Sequence, residues 1–171
     1  MREEKVLEEA VVCFLVEEFK ILLAMKTDKI GKGCWNGYGG GIEFGEEAKD
    51  ACWRELREES GVITLPMYME KVAEVNFHNT KVDGSSFVCK VHYFFIHWWL
   101  GIPESRPKEN MINPFWFSVY KVPYERMMPA DEDFMEPILW GYKVKAEAFL
   151  GPYQKKKIAP TQIEFVKGFG S

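Results

Sequence analysis

The chain has 171 residues, 47% of them hydrophobic and 15% aromatic, with a formal net charge of −4. That much apolar mass can bury one core, so a single domain over residues 1–171 is predicted. The acidic balance excludes a general nucleic-acid surface, which would be basic, and Lys155-Lys156-Lys157 is the only local basic run.

Strands are predicted over residues 10–16 and 20–25, which are apolar and rich in β-branched side chains. Next comes a glycine-rich stretch, Gly33-Cys34-Trp35-Asn36-Gly37-Tyr38-Gly39-Gly40, where backbone can approach phosphate or metal closely. The Asn36 amide offers a paired donor and acceptor suited to a purine edge, or it supports the turn it sits in. A helix is predicted over 46–60, then strands over 72–78, 87–100 and 115–119, with a mobile tip at 80–86 around Asp83-Gly84. A second helix, 132–149, follows the cap-like Pro129-Ala130-Asp131, and a terminal hairpin pairs 153–158 with 162–166. Mixed strands with helices outside make an α/β/α sandwich.

Residues 93–101 are the greasiest stretch, but they are too few to span a membrane and include His97. Cys13, Cys34, Cys52 and Cys89 lack paired metal-ligand spacing, and charge begins at Arg2. These features predict reduced thiols in the cytoplasm, with no zinc site, secretory signal or membrane partner. His78, His92 and His97 fall into no catalytic or ligating arrangement.

The first helix carries the chemistry. Ala48, Ala51, Cys52 and Leu56 form its apolar stripe, Glu46 and Glu47 suit its N-terminal end, and Ser60-Gly61 closes it. Glu55, Glu58 and Glu59 lie three and four residues apart and project from one face. Such crowding destabilises a structural helix, yet it serves a site that gathers oxygen anions around a hard divalent cation. Arg54 is spaced to reach back toward Glu46 or Glu47 and brace the preceding loop.

The full spacing, G-x5-E-x7-R-E-U-x-E-E-x-G-U, is met by Gly40, Glu46, Arg54, Glu55, Leu56, Glu58, Glu59, Gly61 and Val62. It resembles the box of the Nudix hydrolases. The resemblance implies the Nudix fold and hydrolysis of a nucleoside diphosphate linked to another moiety, dependent on Mg2+ with Mn2+ as a substitute. It implies Glu55, Glu58, Glu59 and the Gly40 carbonyl as metal ligands, with Arg54 in the catalytic set. Which glutamate also takes a proton varies within the family and stays open here.

From about residue 10 to 149 the flanks resemble a narrower group, the MutT-like oxidised-purine nucleoside triphosphatases of the 8-oxo-dGTP diphosphatase kind. The likeness includes Ile21-Leu22-Leu23-Ala24-Met25-Lys26, Trp35-Asn36-Gly37, Pro114-Phe115-Trp116-Phe117 and Met127-Met128-Pro129-Ala130-Asp131. It implies a base pocket of Asn36, Phe77 and an acidic pair that becomes Ala130-Asp131 without a gap, with Met128 in place of a stacking Trp. A one-residue shift makes the pair Asp131-Glu132. Trp116 and Phe134 are further stacking candidates, and Glu109 stands where relatives carry a loop carboxylate that approaches the metals. The expected reaction yields a monophosphate and pyrophosphate and cleans the nucleotide pool, with a small nucleotide as partner and the enzyme a monomer. The alternatives are a Nudix enzyme for a pyrimidine triphosphate, a nucleoside diphosphate sugar or an RNA 5′ end, and a catalytically silent nucleotide-binding module.

Overall fold

The computed structural model describes residues 3–170. Nine strands form one mixed sheet: β1 (Glu9–Glu17), β2 (Lys20–Lys26), β3 (Trp35–Asn36), β4 (Tyr38–Gly41), β5 (Met69–Thr80), β6 (Ser86–Ile96), β7 (Met111–Ser118), β8 (Lys143–Leu150) and β9 (Lys157–Val166). The main path runs β3-β2-β1-β6-β5-β8-β9, while β4 pairs with β1 and β7 with β2. The β1/β6 and β5/β8 pairs are parallel and the others antiparallel.

Two helices, α1 (Ala48–Ser60) and α2 (Asp131–Leu139), cover the sheet from separate cores. Strand alternation sorts the side chains. On β1, Val11, Cys13 and Leu15 pack with Ala51, Cys52 and Leu56 of α1, whereas Ala10 and Phe14 belong with Phe134, Met135 and Ile138 of α2. This is the expected layered α/β arrangement. Among the described residues, no helix is long and apolar enough to cross a membrane.

The predicted second helix is half strand. α2 stops at Leu139, Gly141 turns the chain at a φ of +94°, and β8 follows in parallel register with β5. Lys, Ala and Glu in 143–148 favour a helix locally, but Val144, Ala146, Ala148 and Leu150 alternate and are buried, and sheet pairing prevails. The terminal hairpin is also corrected. Residues Pro152–Gln154 make a short 3-10 turn, and β9 is one strand that accommodates Pro160 because it lies at the sheet edge. The 87–100 strand ends at Ile96, leaving Leu100 in an isolated bridge with Ile63, and the strand expected over 115–119 begins earlier, at Met111. Residues 81–85 form the tight turn between β5 and β6, closed by Gly84 at a φ of +84°.

Candidate active site

The acidic helix and the glycine-rich strand meet because β4 lies antiparallel on β1, directly beside α1. Gly39 and Gly40 are required there by space. A Cβ on Gly39 would lie 1.9 Å from the Val11 carbonyl oxygen, and one on Gly40 would lie 2.4 Å from Glu55 Oε1. At the other end of α1, Gly61 adopts a left-handed φ of +79° and its N–H donates to the Arg57 carbonyl.

Arg54 braces the loop as its spacing predicts, and its partner is Glu46. The guanidinium donates through Nε and Nη2 to the two Glu46 oxygens, each at 2.9 Å, to Glu55 Oε1 at 2.8 Å and to the Gly41 carbonyl at 3.1 Å. Glu46 in turn accepts from the Glu43 N–H at 3.0 Å. This bidentate pairing holds the Glu46 carboxyl below the usual carboxylate range and raises Arg54 further. It ties the 41–46 loop to the helix and leaves one arm on the catalytic face.

The three box glutamates sit at graded depths. Glu59 is deepest, 8% exposed, and its Oε1 accepts the Gly39 N–H at 2.7 Å. Burial pushes its pKa up to about 8 against that hydrogen bond, and the charges of Glu55 and Glu109 push the same way. Glu55 is raised by burial and opposed by Arg54. Glu58 lies outermost, its Oε2 3.6 Å from Arg54 Nη1. Among the described residues no three acidic, His or Cys side chains converge as a ready metal cage, since Arg54 draws Glu55 and Gly39 holds Glu59. The donor set nevertheless suits a hard divalent cation. It is all oxygen, rich in negative charge, and includes a buried carboxylate whose pKa the nearby Lys26 lowers less than burial raises it. Glu55 and Glu59 with the Gly40 carbonyl would hold the ion, and Glu58 would join from the outer edge.

Lys26 is the residue that sequence reasoning missed. It stands at the end of β2, is depressed by burial, and experiences the Glu59 charge. Its Cδ and the Asn36 Nδ2 and Met128 Sδ atoms all lie within 4 Å of where a Gly31 Cβ would be. The Lys26–Gly31–Asn36 loop therefore connects the carboxylates to the predicted base pocket. A charged residue closing an apolar strand was the available signal.

Asn36 accepts the Gly37 N–H through Oδ1 at 2.9 Å, which supports the turn and fixes the amide, with Nδ2 on the Met128 side. Asp131, the first residue of α2, is 7% exposed; its Oδ2 accepts the Met128 N–H at 3.2 Å, and burial pushes its pKa up to about 7. Its charge is felt by Cys34, two residues before Asn36, and by the buried Tyr93. Glu132 does not accompany it. One helix position further on, it is exposed and lines a separate groove with Glu136 and Trp140.

The aromatic candidates divide. Phe77 is 7% exposed and packs edge-on to Phe134 at 6.2 Å, in the same core as Tyr93. Phe134 is fully buried and serves that core. Trp116 stacks on Trp99 at 5.8 Å in the α1-side core, a different cluster from Phe77. Glu109 ends a short 3-10 turn, and its charge is felt by Glu59. The histidines pair with surface carboxylates: His78 with Glu147, His92 with Glu9 and His97 with Glu70.

A profile of the NUDIX domain matches residues 6–137. The chain belongs to the Nudix hydrolase family. Two relatives described as oxidized purine nucleoside triphosphate hydrolase are similar to it. The one from Danio rerio is 30% identical over 140 residues, covering 82% of this chain and 81% of the relative. The one from Mus musculus is 32% identical over 120 residues, covering 70% and 71%. A MutT mutator protein from Bacillus halodurans shares the fold with a TM-score of 0.76 at 18% identity, over 92% of this chain and 98% of its own. This Nudix hydrolase is thus MutT-like in architecture, and its box acts on acid anhydrides of phosphorus.

Proposed function

We propose that this Nudix hydrolase is a Mg2+-dependent diphosphatase of oxidised purine nucleoside triphosphates. It would convert 8-oxo-dGTP or 2-hydroxy-dATP to the monophosphate and pyrophosphate and so remove damaged precursors from the nucleotide pool. The observation that carries the substrate reading is the buried Asp131 carboxyl, pushed up to about 7 and bonded to the Met128 N–H, with the Met128 sulfur and the Asn36 amide both bordering Gly31. Protonated, it donates to a purine carbonyl; ionised, it accepts from a ring N–H. Oxidised purines differ from normal ones in where such donors and acceptors stand. The similarity to the two oxidized purine nucleoside triphosphate hydrolases supports the same choice.

Residue roles follow from position. Asn36 and Asp131 read the base edge, while Met128 and Phe77 supply apolar contact. Lys26 offers a cation between base and phosphates. Arg54 positions Glu55 and the 41–46 loop, and the Gly39 N–H orients Glu59. A bound divalent cation would screen the phosphate charges and lower the pKa of attacking water. Water adds to one of the two phosphorus atoms of the α,β-anhydride, the bond between them breaks, monophosphate and pyrophosphate separate, and the water proton passes to a box glutamate.

The test is a turnover screen over normal and oxidised purine triphosphates, pyrimidine triphosphates and nucleoside diphosphate sugars, with products identified. Higher kcat/KM for oxidised purines with pyrophosphate released is expected. A preference for sugars or pyrimidines, release of orthophosphate, or no turnover with Mg2+ would overturn the reading.

A further inference from the structure

On the outer side of α2 lies a groove of about 500 Å³ lined by Glu132, Asp133, Glu136, Pro137, Trp140, Tyr142 and Phe165. The reaction proposed above uses none of its aromatic walls. Trp140, Tyr142 and Phe165 are each more than half exposed, at 55%, 58% and 61%, an unfavourable display for three large rings lining one groove. They are also held in place. Trp140 packs against Tyr120 at 5.4 Å, and Tyr142 meets Phe165 edge-on at 5.3 Å.

The charges in this groove have one sign. Glu132 and Glu136 stand four residues apart on α2, where like charges destabilise a helix, and among the described residues no ion pair or hydrogen bond relieves either. Asp133 is already answered, by Lys157 Nζ at 2.8 Å and the Thr161 hydroxyl at 2.6 Å. The carboxyl end of α2 closes the groove, its Pro137 carbonyl accepting from the Trp140 and Tyr142 N–H groups, and adds the negative end of the helix dipole. Among the described residues, no lysine, arginine or histidine lines the space, and Lys157 pairs with Asp133.

Rings whose faces carry negative quadrupole charge, next to unpaired carboxylates, favour an organic cation over an anion or a neutral ligand. They favour it over a bare metal ion as well. Aromatic walls offer a strongly hydrated divalent ion nothing in exchange for its water.

We propose that the α2 groove binds an alkylammonium group, seated between the Trp140 and Tyr142 rings and paired with Glu136. A free polyamine and a lysine side chain of another protein share this chemistry. The site is separate from the nucleotide pocket, because Asp131 faces inward and Glu136 outward from the same helix. Its occupation neutralises a repulsive pair on the helix that begins at Asp131.

The test is calorimetric titration of the metal-free full chain, without nucleotide, using spermidine, Nα-acetyl-lysine methylamide, the neutral 1,8-octanediol and Mg2+. The variants are Glu136→Gln, Trp140→Ala and Trp140→Phe. Spermidine or the lysine derivative should bind, and the tighter of the two identifies the source. Glu136→Gln and Trp140→Ala should each weaken binding about tenfold, and Trp140→Phe should restore most of it by returning a ring face. Thermal unfolding of each variant checks that the fold is kept. Absence of ammonium binding at millimolar concentration, equal binding by all variants, or equal binding of the diol would overturn the proposal. So would Mg2+ binding that shows the variant losses predicted for the ammonium ligands.

Discussion

Replacing Asp131 by Asn tests the base pocket without any substrate. The folded carboxyl titrates at about 7 against 3.8 for the ordinary side chain, because burial penalises its charged form. A raised carboxyl pKa means that the folded state binds the proton more tightly than the unfolded chain. Its stabilising contribution is therefore complete below about pH 4 and is lost as pH rises toward 7. The interval corresponds to about 4 kcal/mol, at roughly 1.4 kcal/mol per tenfold change in proton affinity. Asparagine keeps an oxygen to accept the Met128 N–H, now 3.2 Å away, and carries no charge to desolvate. Urea unfolding of the metal-free wild type and Asp131→Asn at pH 4.5, 6 and 8 should show the variant gaining stability relative to wild type by most of that amount. Above about pH 8 the difference should level off. Glu59 titrates in an overlapping range, but it is common to both proteins and cancels. Stability curves that run parallel across this range would refute a buried, proton-binding Asp131, and with it the reading of the pocket.

Glu58→Gln and Glu59→Gln should each lower Mg2+-supported turnover by orders of magnitude with the fold retained, and Glu59→Gln should gain stability over the metal-free wild type as pH rises toward 8; full activity in both at ordinary Mg2+ would remove the proposed metal site. Asn36→Ala should cost about 1–3 kcal/mol of discrimination, read as a ten- to hundredfold flattening of kcat/KM ratios among purine substrates, and an intact substrate ranking would place the base elsewhere. Gly40→Ala sets a Cβ 2.4 Å from Glu55 Oε1, so turnover should fall with the fold retained. Gly39→Ala meets the Val11 backbone at 1.9 Å and should lower the unfolding temperature instead. Circular dichroism melts beside activity assays separate those two outcomes. The pH dependence of kcat/KM should differ between 8-oxo-dGTP and 2-hydroxy-dATP, and Asp131→Asn should alter that difference; superimposable profiles in both proteins would exclude Asp131 from base reading.

What the amino-acid sequence determined by itself is what short-range geometry governs. The box helix, its glycine stop, the shared face of Glu55, Glu58 and Glu59 and the reach of Arg54 to Glu46 all arise within about twenty residues. Helical spacing converts such positions directly into neighbours. Alternation likewise placed most strands. Long-range pairing decided the rest. Residues 143–148 look helical until β5 offers a parallel partner, and only that pairing makes β8 of them. Asp131 and Glu132 are equivalent in sequence, yet packing of α2 on the sheet buries one and turns the other to solvent. Trp116 and Phe77 are both strand aromatics, and the sheet assigns them to different cores. Lys26 reached the site through the fold of the 26–36 loop, and its place at the end of an apolar strand was the one local sign of it. The reason is physical: a helix face depends on residues a turn away, whereas burial and charge in a pocket depend on segments a hundred residues apart.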